Sequence, residues 1–359
     1  MDGSAPLGYA CAMGMRIALL GAGTVGGAVA KVLAAEADAW GVELAGIAVR
    51  DLEKARAAGL DRLAPLGTDP FALAAGDVDL VVELMGGTDP ALPIVEAALA
   101  AGRPVVTANK LLLAKFGARL EAVARGSGAP LRFEAAVAAG VPVIGVIVGD
   151  LAANELLSIR GIINGTTNYI LTKMESQGWS YEQALAEAQR LGYAEADPRS
   201  DVEGEDAAAK LVILARMASG AWPALAHVQL DERPGITGVT AAAIAAAASR
   251  GARLRMLASW ENGGDDATKD RLAVRLAEVP ADSRLGTTVD GGNLIVVEGD
   301  LIGELTLAGA GAGPGSTASA VLGDILAIVR GEGASWGDLP PAGDAPAPGW
   351  MRAAKRAAR

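Results

Sequence analysis

The sequence predicts an α/β protein in which a domain built on a parallel sheet is joined to an α+β domain. Two observations predict it. From Arg16 to Lys110, short apolar strands alternate with helical segments, the pattern of a parallel sheet, whereas beyond Asp150 several strands alternate apolar and polar residues, as half-buried antiparallel strands do. A length of 359 residues leaves room for about two such domains.

The first element is RIALLGAGTVGGAVAKVLA, Arg16 to Ala34: an apolar strand, a glycine turn and an Ala/Val-rich helix. This is the dinucleotide fingerprint in its strand-turn-helix context, so the first domain is expected to be Rossmann-type. Gly21 permits the tight turn, Gly23 lets a pyrophosphate approach the backbone, and Gly26 lets helix and strand pack closely; Thr24 and Val25 open the helix whose N-terminus faces the anion. The second strand, Val42 to Val49, ends in Arg50-Asp51, where this fold reads the ribose. An acid there favours NAD and an arginine accommodates the 2′-phosphate of NADP. Arg50 comes first, which favours NADP, with NAD as a second cofactor.

DLVVELMGG, Asp79 to Gly87, is a further buried strand and glycine turn, followed by a helix with Asp89 as its cap and Pro90 at its first position. PVVTANK, Pro104 to Lys110, repeats the plan and places Thr107, Asn109 and Lys110 at the carboxyl end of a strand, where ligands of parallel sheets bind. LRFEAAVAAGVPVIGVIV, Leu131 to Val148, carries one acid, Glu134, in an apolar strand and turn. Backbone amides could satisfy it, or a hard cation could, together with nearby carbonyls.

In the second domain, ELLSIRGIINGTTNYILTKM reads as a strand meeting a helix at the polar corner Asn164-Gly165-Thr166-Thr167, suited to capping or to a small ligand. Ser180 and Gln183 form a capping box. LGYAEADPRSDVEGEDAAAK, Leu191 to Lys210, is an acidic loop over Tyr193 to Ser200 and then a helix from about Asp201, on which Asp206 and Lys210 stand four apart on one face. The LVILARMA that follows is apolar nearly all round, so this helix is expected to be buried. A helix near Thr240 to Ser249 and strands near 254–260, 272–278, 294–298 and 301–307 complete the domain. GAGAGPGSTASAVLGDILAIVR, Gly309 to Arg330, is a second glycine turn opening a helix, either a connector or a closure over a cofactor. The expected division is residues 1–14 as a disordered extension, 15–134 with about 309–330 as the dinucleotide domain, 135–308 as the catalytic and dimerisation domain, and 331–359 as a linker-like tail.

Composition narrows the function. A net charge of −11 argues against nucleic acid or anionic membrane as partners, leaving small molecules. No uninterrupted apolar run reaches the ~18 residues of a membrane span. One cysteine, Cys11, excludes an intramolecular disulfide framework and a multi-cysteine metal site, which suits the cytoplasm. A phosphorylating semialdehyde dehydrogenase needs a thiol nucleophile, and Cys11 lies in the extension. A silent dinucleotide sensor has no need to keep Lys110, Glu195, Asp206 and Lys210 together.

In sum of motifs, GAGTVGG, VVELMGG, TANKLLLA, FEAAVAAGVPVI, IRGIINGTTNYIL, LGYAEADPRSDVEGEDAAAKL and GAGAGPGSTASAVLGDI, in this order from Arg16 to about Arg330, the chain resembles the homoserine dehydrogenases. The resemblance implies NAD(P)-dependent interconversion of L-homoserine and L-aspartate 4-semialdehyde. It carries the catalytic lysine onto Lys210, its partner onto Asp206 and a second lysine onto Lys110. Substrate contacts fall on Glu195 and Asp201, with Asn164, Gly165 and Thr166 at the polar corner. A sodium or potassium site falls on Glu134 with the carbonyls of Val137, Ala139 and Val141. Cofactor contacts fall on the first fingerprint and on Gly311 and Gly313, and a homodimer forms through the second domain's sheet. The departure is C-terminal: many bacterial members carry a threonine-sensing ACT domain there, and residues 331–359 are too few to form one.

Overall fold

The computed structural model describes residues 14–231, 235–264 and 266–342. The expected extension up to residue 13, with Cys11, and the end of the tail lie outside them. The chain divides into two compact units: residues up to Asn109 with Val123–Phe133 and Val321–Ala334, and Lys110–Ala122 with Glu134–Ala320 and the residues from Ser335 on.

The first unit holds β1 (Met15–Leu20), α1 (Thr24–Trp40), β2 (Val42–Ala48), α2 (Leu52–Ala57), β3 (Leu66–Gly67), α3 (Pro70–Ala75), β4 (Leu80–Glu83), α4 (Ala91–Ala100), β5 (Val105–Thr107) and, after α5 (Lys110–Ser127), β6 (Leu131–Arg132). Its sheet is parallel throughout in the order β3-β2-β1-β4-β5-β6, the doubly wound order whose reversal point lies between β1 and β4. Ile17, Leu19, Leu20, Leu80, Val81 and Val82 are fully buried, which is why these strands are apolar without alternation. One boundary differs from expectation. Asp89 does not cap α4; Pro90 does, after a cis Asp89–Pro90 peptide.

The second unit continues with α6 (Val143–Gly145, running on as a π turn over Val146–Asp150), β7 (Leu156–Ile162), α7 (Gly165–Gln177), α8 (Tyr181–Arg190), α9 (Arg199–Val202), α10 (Glu205–Ser219), β8 (Gln229–Leu230), α11 (Ala241–Ser249), β9 (Ala252–Glu261), β10 (Arg271–Pro280), α12 (Arg284–Thr287), β11 (Gly292–Gly299), β12 (Gly303–Ala310) and the start of α13 (Pro314–Val329), whose residues from Val321 on belong to the first unit. Its sheet runs β12-β11-β7-β9-β10-β8 and is antiparallel except for the β8–β10 pair. The α10 helix packs on β9 and β10, and its Leu211, Val212, Ile213 and Leu214 are buried, as an all-round apolar helix must be. The Ser180–Gln183 capping box forms.

Three expectations in this unit are corrected. The helix bearing Lys210 does not start at Asp201: Gly204 adopts φ 90°, ending the short α9 and letting α10 begin at Glu205. Glu134 does not lie in a strand, since β6 stops at Arg132 and Glu134 opens a 3₁₀ turn. The last strand starts at Gly303, because Leu301 and Ile302 belong to the hairpin turn and are exposed. The tail is corrected too, as far as it is described. Ser335 and Trp336 are buried, and the Pro340 carbonyl accepts a 2.8 Å hydrogen bond from Arg216, so residues 335–340 pack as structure where the Pro/Gly/Ala content suggests a linker.

Candidate active site

The glycine turn of the first unit is built for a close anionic neighbour. Gly21 has φ 93°, and a Cβ there would stand 2.7 Å from the Leu84 carbonyl oxygen. A Cβ on Gly26 would meet the Gly21 oxygen at 2.0 Å. Gly23, by contrast, has open space around it, and as N-cap it offers no side chain to the first-turn amides of α1. Thr24 is exposed and Val25 half-buried beside it. Packing thus explains two of the glycines and ligand access the third, so these residues fit a dinucleotide pyrophosphate. At the end of β2, Arg50 and Asp51 are both exposed, and Asp51 caps α2 by accepting from the Lys54 amide at 2.9 Å.

Behind the turn lies a network that sequence reasoning missed. The Glu83 carboxylate, fully buried, accepts from the amides of Met85 (2.8 Å) and Gly86 (3.2 Å) and from the Thr107 hydroxyl at 2.6 Å. Burial pushes its pKa up, against the pull of the Thr107 hydrogen bond. Asn109 donates its amide to Thr107 Oγ1 and its side chain to the Gly87 carbonyl. The Thr107 hydroxyl, at the strand end where a ligand or cofactor is expected, donates within the unit. A lone glutamate closing an otherwise apolar strand was the signal available.

The second unit gathers the charged residues around one carboxylate. Asp206, 6% exposed, takes Lys210 Nζ on Oδ2 at 2.7 Å and Lys110 Nζ on Oδ1 at 3.0 Å. Lys210 also donates to the Ile163 carbonyl at 2.8 Å. Asn164 caps α7 by accepting from the Thr167 amide, and its Nδ2 donates to both Asp206 Oδ2 (2.9 Å) and Asp201 Oδ1 (2.7 Å). Burial opposes the Asp206 charge, but the Lys210 and Lys110 amines overcome it and hold the carboxyl well below the usual range. Asp206, then burial, act in opposite directions on Lys110 and leave its pKa raised. Asp201 is raised by burial and by Asp206.

The remaining expected residues divide. Gly165 is held against Gly291, whose carbonyl oxygen a Cβ would meet at 2.9 Å, and the Thr166 hydroxyl donates to the Tyr193 carbonyl at 2.6 Å. Glu195 is exposed, its carbonyl accepting from Gln189, and its charge adds to the field that raises Lys110. Glu134 accepts the Ile144 and Gly145 amides, one on each oxygen, beside a turn in which Ala138 takes φ 48° and Val137, Ala139 and Val141 are buried. Gly311 has the Asn293 side chain where a Cβ would be, and Gly313 takes φ 123° before α13. Among the described residues no three His, Cys, Asp or Glu side chains cluster as a metal site, and no helix is long and apolar enough to cross a membrane.

Two family models match the chain. The homoserine dehydrogenase model matches residues 142–326, and that of the homoserine dehydrogenase NAD-binding domain matches 21–134. The homoserine dehydrogenase of Corynebacterium glutamicum is 42% identical over 325 residues, spanning 88% of this chain and 72% of its own. The chain belongs to the homoserine dehydrogenase family. It is accordingly an oxidoreductase of amino-acid biosynthesis that interconverts L-homoserine and L-aspartate 4-semialdehyde with a nicotinamide dinucleotide. The Neisseria gonorrhoeae homoserine dehydrogenase is 41% identical over 322 residues, 88% of this chain and 72% of that one. Among solved structures, a homoserine dehydrogenase from Thiobacillus denitrificans superposes with a TM-score of 0.85 at 35% identity, covering 95% of this chain and 85% of that one. A hyperthermophilic archaeal homoserine dehydrogenase in complex with NADPH gives 0.75 at 28% identity, covering 89% and 98%.

Proposed function

We propose that Lys210 transfers the proton in the homoserine dehydrogenase reaction, that Asp206 and Lys110 assist it, and that Glu195 and Asp201 hold the amino-acid end of the substrate. The observation that carries this reading is the sharing of one buried carboxylate, Asp206, by the amines of Lys210 and Lys110. When bound, the nicotinamide exchanges a hydride with the substrate carbon. In the reducing direction Lys210 Nζ gives a proton to the aldehyde oxygen as it becomes a hydroxyl; in the oxidising direction it takes that proton back. Asp206 fixes the amine at the start of α10 and balances its charge. The Lys110 side chain is 41% exposed against 11% for Lys210, which suits it to meet the substrate oxygen or carboxylate. The exposed Glu195 carboxylate suits an ammonium. Asn164 orients Asp201 and Asp206, and Gly165 and Thr166 shape the corner around it.

The exposed Arg50 supports NADP as the favoured form, with NAD as the second cofactor, and Gly311 and Gly313 contribute to its binding. The Glu134 carboxylate, an oxygen donor beside the turn of Val137, Ala139 and Val141, supports a sodium or potassium ion held with the carbonyls of those three residues. A homodimer through the second unit's sheet is supported by Leu157, Leu301 and Ile302, apolar and exposed at one end of it. The enzyme acts in the cytoplasm. The deciding experiment follows nicotinamide absorbance with aspartate semialdehyde, homoserine or lactate offered in turn. Turnover of the first two and not of lactate is expected; turnover of lactate alone, or of none, overturns the reading.

A further inference from the structure

We propose that the buried ion pair between Glu121 and Arg216 is a positioning device that sets the approach of Lys110 to Asp206, an inference that rests on the roles given above to those two residues. Arg216 is fully buried and Glu121 is 1% exposed. The pair is bidentate, Nε to Oε2 at 2.9 Å and Nη2 to Oε1 at 2.6 Å. Trp222 Nε1 adds a 2.7 Å hydrogen bond to Glu121 Oε2, and the Pro340 carbonyl takes a second bond from Arg216 Nη2. Burying two charges gives little net stability over an apolar pair of the same volume, so such a pair is better explained by the geometry it specifies.

Its place in the fold says which geometry. Lys110 is the first residue of α5 and Glu121 lies about three turns further on; Asp206 is in the first turn of α10 and Arg216 lies nearly three turns further, the spans being roughly 16.5 and 15 Å by the helical rise. The two helices are thus tied at two points at matched spacing. Two ties fix their axial register, whereas the partly exposed Lys110 tie alone leaves it free to slide. Gly117 on α5 supports this, since a Cβ there would meet the Trp222 ring at 2.5 Å. Residues 335–340, sealed onto Arg216 through Pro340, close the far end of the clamp.

The test replaces both charges with apolar groups of similar length, Glu121→Met with Arg216→Met, in the full chain, and measures Tm, NADPH binding by fluorescence, KM and kcat beside the wild type. The expected result is a folded protein with unchanged NADPH affinity and a kcat about ten- to a hundredfold lower, the cost of misplacing a reacting group by around an ångström. A kcat within twofold of wild type in the folded double variant overturns the proposal. Should that variant not fold, Arg216→Lys decides: it keeps the charge but loses the fork, so kcat should fall severalfold with NADPH affinity unchanged, and an unchanged kcat overturns the proposal equally. Wild-type turnover of homoserine separates the two readings. An active wild type with an indifferent variant refutes only the positioning role, whereas an inactive wild type refutes the functional reading beneath it.

Discussion

Lys210 and Asp206, one turn apart on α10, are joined Nζ to Oδ2 at 2.7 Å, and the Ile163 carbonyl, just past the end of β7, accepts from the same amine at 2.8 Å. An amine so held can move a proton without first finding its place. Lys210→Ala should therefore lower kcat by ~10²- to 10⁴-fold, the usual loss on removing a general acid/base. The first unit's glycine turn is untouched, so NADPH affinity should stay as it is. Stopped-flow turnover with fluorescence titration of NADPH checks both, and more than half the wild-type rate would show the lysine to be structural only.

Asp206 connects both lysines and Asn164, and its folded pKa lies below its unfolded value. Its contribution to stability is therefore present above the unfolded pKa of ~3.9 and is lost as pH falls towards the folded value. Asp206→Asn should cost about 3–5 kcal/mol at neutral pH, the scale for breaking a buried pair by removing one partner. The Tm gap between variant and wild type should then hold from pH 7 to about 4 and narrow as pH falls below the unfolded pKa. A gap that stays constant below that pKa as well means that the ionised carboxylate is not what stabilises the cluster.

The parts that could be read from sequence are those whose chemistry is local. The fingerprint glycines, the Asn164 cap and the i, i+4 spacing of Asp206 and Lys210 are each decided within a few residues, and the structure places them accordingly. What sequence did not reveal depends on partners far along the chain. Glu121 meets Arg216, Glu83 meets Thr107, and Trp336 is buried inside a Pro/Gly/Ala-rich stretch. Composition describes a segment's average, and a buried tryptophan such as Trp336 is lost in that average. The late start of α10 had a local signal, Gly204, whose left-handed conformation outweighs the helix-compatible residues before it.

At the end of β2 Arg50 is exposed, and the Asp51 carboxylate beside it accepts the Lys54 amide. Arg50→Ala should raise KM for NADP several-fold more than KM for NAD, since only NADP offers a 2′-phosphate to a guanidinium. Initial rates with each cofactor at saturating homoserine measure the ratio. An equal rise in both would place Arg50 away from the ribose.

The three fingerprint glycines should separate by their surroundings when each is changed to alanine. Gly26 cannot accept a methyl group, because the Gly21 oxygen lies 2.0 Å from where its Cβ would be; Gly26→Ala should force α1 away from β1 and lower Tm. Gly21 combines φ 93° with a carbonyl 2.7 Å from the Cβ position, so Gly21→Ala pays both backbone strain of about 1–3 kcal/mol and the clash. Gly23 has nothing within 4 Å, so the apo protein should tolerate Gly23→Ala with Tm unchanged. Its methyl group instead occupies the space a pyrophosphate needs above the first turn of α1, and NADPH affinity should fall at least tenfold. Thermal melts without cofactor, set beside NADPH titrations, distinguish the cases. If Gly23→Ala melts like the wild type and also binds NADPH like the wild type, the open space at Gly23 does not receive the pyrophosphate, and the cofactor must enter the fold elsewhere.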